Sequence, residues 1–383
     1  MNRRLLRWGI AQCAVIVLIA SLMALPAQAS RVKQQVLSKT VPVGANALWA
    51  FTQGESAKPG GVQDVDLTTD GGKRWSIVTP PGLRTYGGSH WILSIYALTP
   101  KRAWVVFGGV DNGPQWLDTT GDAGRHWTTV GELPPRSCSL QFVTPDDGTC
   151  TVYAGAAGSM GTEIYRTSNG GRSWRNIFSS YMTQASLNRK TPRGGLPFGC
   201  DKTISFTSGA RGWALFYCNY DDATLYETTN GGVTWVSRAA TTPKPYSEGG
   251  GFVGTPKISG RRGAVGYEGG RFTLIYVTTD GGLSFYPVYP PGKLRPWSIN
   301  VLSPTRWRLA FRNQILSTNS GGETWFTVAS DANEIVKPLQ YSSPNPDISF
   351  VTGSKGWLTT QNHRLLRTTD GGRRWTLVKI PAT

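Results

Sequence analysis

Apolar residues in this chain fall into short runs, such as Trp213–Tyr217 and Trp357–Leu358, and glycine-rich polar segments separate them. No stretch holds a helical period over a useful length. In seven places the polar segment takes the same eight-residue form. The cleanest copy is Thr368 to Trp375, TTDGGRRW, and the others open at Thr68, Thr120, Thr167, Thr228, Thr278 and Thr318. Three residues before each opening Thr stands an aliphatic: Val65, Leu117, Ile164, Leu225, Ile275, Ile315 or Leu365. Three residues after the closing aromatic stand Val78, Val130, Ile177, Val288, Val328 and Val378, with Arg238 as the exception. Apolar, glycine turn, apolar predicts a strand–turn–strand hairpin.

The slots of the phrase have separate physical meanings. The fifth is glycine in every copy (Gly72, Gly124, Gly171, Gly232, Gly282, Gly322, Gly372), which predicts positive φ. The third holds Asp70, Asp122, Asn169, Asn230, Asp280, Ser320 and Asp370, short oxygen-bearing side chains expected to accept a backbone amide two residues on. The eighth is Trp, or Phe285 in the fifth copy, an aromatic that covers apolar area. A second landmark precedes each phrase. Trp49, Trp104, Tyr153, Trp213, Val265, Trp307 and Trp357 begin apolar runs read as second strands. Leu140–Val143, Ile204–Phe206, Ile299–Leu302 and Ile348–Val351 read as first strands, with a weak one at Val36–Val43.

The aromatic slots lie 52, 47, 61, 50, 40 and 50 residues apart, each interval suited to a four-stranded sheet with its loops. Seven such units need about 350 residues, nearly the whole chain. The expected fold is therefore all-β: a single seven-bladed β-propeller of four-stranded antiparallel blades over residues 30–383. The phrases resemble the Asp-box, or BNR repeat, with the pattern Ser/Thr-x-Asp-x-Gly-x-x-Trp. In that family the box is a structural turn between the third and fourth strands of a blade, not a catalytic site. The resemblance places the first-to-second-strand turns on the same face as the boxes. The connections between blades then lie on the opposite face.

Residues 1–29 read as a signal peptide: Arg3, Arg4 and Arg7, an apolar run from Ile10 to Leu25, and the small-residue site Ala27-Gln28-Ala29. The mature chain is expected to begin at Ser30 and to be periplasmic or extracellular. Cys138, Cys150, Cys200 and Cys218 then suggest disulfides. Three connectivities are possible, and Cys138–Cys150 with Cys200–Cys218 is favoured because each pair brackets one hairpin. Metal binding is not expected, since no C-x-x-C occurs and the three histidines are scattered. No cofactor is expected.

The 40 Lys and Arg against 23 Asp and Glu give a formal charge of +17. This suits acidic partners, although a soluble surface adapted to its medium reads the same way. The turn before the second strand is basic in five units: Lys101 and Arg102, Arg211, Arg261 and Arg262, Arg306, and Lys355. Asp146 and Asp147 take its place in the third unit. Together these cations form a broken positive ring on one face, a candidate dock for an acidic segment. The bland alternative is ordinary exposed turn charge. A second candidate is the long connection Phe178–Phe198 on the opposite face, with Arg189, Lys190 and Arg193.

Asp-box propellers include sialidases, whose arginine before the first box begins a carboxylate-binding triad. No arginine occurs here between Arg31 and Arg74. Asp221 and Asp222 read as turn residues rather than an acid/base pair, and no nucleophile-elbow or phosphate-loop motif is present. The chain as a whole, typified by Ile348 to Trp375, resembles the photosystem II assembly and stability factor family. That likeness implies an exported, non-enzymatic scaffold with an arginine-rich patch that engages membrane-protein segments. The expected protein is a monomer that binds a protein or membrane-protein segment and neither nucleic acid nor a small substrate. The alternative is a glycan-binding or glycan-hydrolysing propeller.

Overall fold

The computed structural model describes residues 35–54, 62–83, 91–108, 113–134, 138–154, 161–181, 193–197, 201–218, 225–240, 250–269, 273–291, 298–311, 314–329, 347–360 and 363–380. Outside them lie the expected leader, Arg189, Lys190, Cys200, Asp221 and Asp222. The regular elements among the described residues are all strands. In the first unit Gln35–Pro42, Leu48–Gly54, Gln63–Thr68 and Ser76–Ile77 pair antiparallel in chain order. The same simple order holds in the four-stranded sheets that begin at Trp91–Ala97, Cys138–Phe142, Ser298–Ser303 and Asp347–Phe350. Two further units, beginning at Asp201–Phe206 and Gly250–Ser259, share an eight-stranded sheet. They join through a short parallel pairing of Ala239 and Ala240 with Ser284 and Phe285, and through Tyr217 and Cys218 opposite Gly251 and Gly250. Numbered along the chain, these are units one to seven, an arrangement consistent with a β-propeller.

Each unit packs its face on the next, and unit seven packs on unit one. Leu37, Leu48 and Ala50 share a buried cluster with Trp357, Leu365 and Val378. The same seam carries a Thr40–Thr359 hydroxyl bond (3.1 Å) and a hydrogen bond between His363 Nδ1 and the Leu37 carbonyl (2.9 Å). The two ends of the sequence therefore meet as neighbouring sheets, each with its own four strands.

The phrase builds one turn seven times over. The slot-five glycine amide donates to the opening Thr hydroxyl at 2.8–3.0 Å in every copy. The slot-three oxygen accepts the slot-seven amide at 2.8–3.0 Å, whether it belongs to Asp, Asn or Ser320. The reach is four residues, not the two expected. The short bond belongs to the Thr hydroxyl, which takes the slot-three amide, as in Asp122 to Thr120 at 3.3 Å. The slot-four amide donates at 2.7–3.0 Å to a carbonyl of the turn between the first two strands in each unit. Both turns thus sit at one end of their sheet.

Slots four and five both have positive φ, so the turn bends at two residues. Slot four is glycine except at Ala123, which is held at φ 67°. The slot-five glycine also meets the previous sheet. A Cβ on Gly72 would lie 2.3 Å from Val378 Cγ1, and one on Gly322 would lie 2.5 Å from Val288 Cγ1. The aliphatic that follows the aromatic is thereby explained in five units: Val78, Val130, Ile177, Val288 and Val378 each lie against the next unit's glycine.

The second-strand landmarks need correcting. Trp49, Trp104, Trp213 and Trp357 each pair with the residue before the opening Thr and pack against the following unit. In that register the third unit has Thr149 rather than Tyr153, and the fifth has Ala264 rather than Val265. Trp307 pairs with Thr318 itself, one residue out of step, and packs back onto unit five beside Ala264. The small residue leaves room, and the shifted indole fills it. A disulfide joins Cys138 and Cys150 across the first two strands of unit three (Cα–Cα 5.4 Å). Cys138 faces Val152 and Cys150 faces Leu140, so the bridge is diagonal. The proposed partner pair, Cys200–Cys218, involves Cys200 and so lies outside the described residues.

Two outcomes follow from this turn. Ala123→Gly relieves a left-handed alanine and should raise unfolding stability by about 1 kcal/mol in a urea titration; an unchanged or lower midpoint would contradict the strain. The slot-three carboxylates should also make stability fall in acid. Asp70 is held down at about 2 by the Arg74 amide and guanidinium. Asp122 and Asp280 are likewise depressed, by hydrogen bonds from His126 and from Ser284 and Thr278 respectively. Depressed carboxylates stabilise the fold above their unfolded pKa of about 4, and that contribution is lost as pH falls towards their folded values. Replacing all three by Asn, the residue already at 169 and 230, should flatten the acid limb of a pH–stability curve between about pH 4 and pH 2.

Candidate functional site: the turn face

The two sets of turns at one end of every sheet form a common face, and arginines tie neighbouring units together across it. Arg166 donates to the Gly231 carbonyl (3.3 Å), Arg211 to Gly281 (2.5 Å) and Arg308 to Gly353 (3.1 Å). Arg367 donates to Asn46 Oδ1 (2.5 Å) and the Ala45 carbonyl (3.2 Å), spanning the seam between the last unit and the first. Arg211 and Arg367 also lie over the rings of Trp213 and Trp357, at 5.1 and 5.4 Å.

The expected positive ring therefore divides. Arg211 is not free to meet a partner. Its Nε donates to Glu227 (2.6 Å), which is 4 % exposed and also holds Arg238 (2.6 Å). This triad explains why Arg238 breaks the aliphatic pattern: it pairs with Glu227 instead of packing on a glycine. Unit three uses the same two positions with the charges exchanged, Asp147 before the second strand and Arg166 before the phrase, 2.7 Å apart. Arg102 is half-buried over Trp104 and donates to Thr119 (3.4 Å). Arg261 bonds the Thr279 carbonyl through Nε at 3.3 Å yet stays exposed. Lys101, Arg262 and Arg306 are exposed, and Lys355 is half-buried. Among the described residues none of Lys101, Arg261, Arg262 or Arg306 has a carboxylate ion partner. Where unit four offers Glu227, unit five offers Val277, so Arg262 is left on the wall of a cleft of about 310 Å³ between units five and six, with Tyr286, Thr305 and Glu323.

The second candidate moves. The Gly194 carbonyl accepts the Trp235 amide (3.0 Å), and Leu196 is buried against Ile164 and Trp235. Arg193 thus stands beside the fourth phrase turn, along a cleft of about 600 Å³ with Tyr226 and Val236, not on the opposite face. Beyond Tyr181, only residues 193–197 of that connection are described.

Sequence reasoning passed over the outermost charges of this face. Slots six and seven read Lys73-Arg74, Arg125-His126, Arg172-Ser173 and Arg373-Arg374 in units one, two, three and seven, all exposed. In units four and five slot six is Val233 and Leu283, 49 and 59 % exposed. The signal lay inside the repeated phrase, in the two slots that vary. Elsewhere, Glu163 accepts hydrogen bonds from Tyr165 (2.5 Å) and Tyr181, and this carboxylate raises the Tyr181 pKa. The cluster lies along the last two strands of unit three. Among the described residues no three His, Cys, Asp or Glu gather as a metal set.

No family model matches the chain, and no curated protein matches it. Solved structures do. YCF48 bound to D1 peptide superposes with a TM-score of 0.55 at 16% identity, over 88% of this chain and 94% of that one. YCF48 from Cyanidioschyzon merolae gives 0.51 at 16% identity over the same shares. A structure from an analysis of two prolyl endopeptidases gives 0.59 at 10% identity, over 92% of this chain but 51% of that one. At these identities the likeness concerns the fold, which this chain shares with YCF48 and with part of the prolyl endopeptidase structure.

Proposed function

We propose that the chain is a seven-bladed β-propeller over residues 30–383, exported after loss of residues 1–29, that acts as a non-enzymatic scaffold. Its phrases are Asp-boxes, and each unit is one blade. Its partner is an acidic segment of a protein or membrane protein, held at the inner turns of the turn face. The observation that carries this reading is the set of exposed cations without carboxylate partners among the described residues, Lys101, Arg261, Arg262 and Arg306, on turns that the phrase clamps rigidly. Guanidinium groups fixed on a stiff scaffold suit carboxylates, because little ordering is left to oppose binding. The likeness to YCF48 solved with a D1 peptide supports a propeller that takes a peptide.

Titration of a Glu-rich peptide at low salt should show binding that weakens with ionic strength. Arg261→Glu with Arg306→Glu should weaken it about tenfold while leaving the melting temperature in place. Unchanged, salt-insensitive binding would remove the reading. Arg211→Ala should behave differently. It strips one partner from the buried Glu227 and should cost about 2 kcal/mol of stability in a urea titration. Mass spectrometry of the exported protein should find Ser30 at its N-terminus; a retained leader would refute cleavage.

A further inference from the structure

The outer rim of the turn face is divided by chemistry. In units seven, one, two and three, which follow one another around the seam, slot six carries Arg373, Lys73, Arg125 and Arg172. In units four and five it carries exposed Val233 and Leu283, and in unit six, beyond them, exposed Glu323. We propose that this rim is a docking surface for an anionic membrane: the cationic arc meets lipid phosphates, and Leu283 and Val233 dip into the interface beside it.

Three observations favour a lipid surface over an acidic polypeptide at this place. The first is level. Every turn has the same Thr–glycine bond, 2.8–3.0 Å, and the same clamp to the inner turn, so equivalent slots project from equivalent positions of neighbouring sheets. A row of such slots suits a flat partner. The second is dispersion. The arc cations stand on separate turns and converge on no pocket, whereas phosphates of a leaflet are themselves spread in a plane. The third is the pairing pattern. Asp70 holds Arg74 at 3.0 Å, but among the described residues Lys73, Arg125, Arg172 and Arg373 have no carboxylate ion partner. Arg172 and Arg373 bond only backbone carbonyls of their own turns, those of Asn169 and Asp370 (3.0 and 3.1 Å). Each bond engages one terminal nitrogen, Nη1, and both side chains remain exposed. Exposed aliphatics at the same slot of adjacent units supply the apolar component that interfacial binding uses.

This goes beyond the peptide reading, because it uses the outer turns where that reading uses the inner ones. The two fail separately. Flotation with vesicles of phosphatidylcholine containing 30 mol % phosphatidylglycerol, at about 50 mM salt, should recover the protein, and neutral vesicles should not. Each cation near such a surface is worth roughly fivefold in affinity, so Lys73→Glu, Arg125→Glu and Arg373→Glu together should cut vesicle binding by about 100-fold or more. Leu283→Ser alone should weaken it a few-fold. The triple variant should keep its melting temperature and its Glu-rich peptide binding through Arg261 and Arg306. No flotation with anionic vesicles, or equal flotation of the triple variant, overturns the proposal. So does a Glu-rich peptide whose binding is lost in the triple variant while vesicles are ignored, which would give the arc to a polypeptide.

Discussion

A glycine amide bonded to a threonine hydroxyl, pinned where the backbone turns left-handed, governs the rest of this structure. It fixes the phrase turn and aims the preceding amide at the inner turn. It also leaves a surface without a Cβ, onto which the preceding sheet sets an aliphatic. Local geometry, the tie within a sheet and contact between sheets therefore rest on one residue type in one slot. The slot-three residue is less constrained. Asp, Asn and Ser320 all deliver an oxygen to the same amide, so the turn forms with or without a charge there.

Where sheets meet, the structure trades one solution for another at equivalent positions. Most interfaces set a tryptophan from one unit against the next. Unit six reverses this: Trp307 points back into the space beside Ala264, and Arg308 takes the forward place over Phe350 (5.5 Å). Units three and four hold the same salt bridge with its signs exchanged, Asp147–Arg166 and Arg211–Glu227. The sign exchange is open because Arg166 and Arg211 each find a backbone carbonyl of the next sheet as well as a carboxylate.

The strand order and the turn were legible because they depend on local chemistry repeated at a fixed period. Positive φ at the fifth slot follows from glycine alone; positive φ at the fourth was hidden by Ala123, which adopts it at a cost. What could not be read was everything set by a neighbouring sheet. Arg211 looks like Arg262 in sequence, both immediately before the glycine that opens a second strand. The difference lies in Glu227 and Val277, some sixteen residues downstream and brought opposite only by pairing. Trp307 likewise looks like Trp357 until register places them on opposite faces. A basic residue in a turn is therefore a weak sign of a binding site until its cross-strand partner is known.

The same distinction locates recognition on this fold. The sheet faces are taken up by packing against each other, and arginines with carbonyls opposite them are taken up by bracing the turns. Only positions that the turn does not need, and that no neighbour reaches, are left to vary. In the phrase this is slot six, whose side chain the turn does not use, whereas the slot-seven side chain bonds slot three, as Arg74 does Asp70 and Ser284 does Asp280. Its identity changes from a cation in units seven, one, two and three to an aliphatic in units four and five and Glu323 in unit six, while the turn beneath stays constant. A repeat whose structural slots are uniform and whose free slots are sorted by chemistry presents one oriented face, and an oriented face is what a planar partner can read.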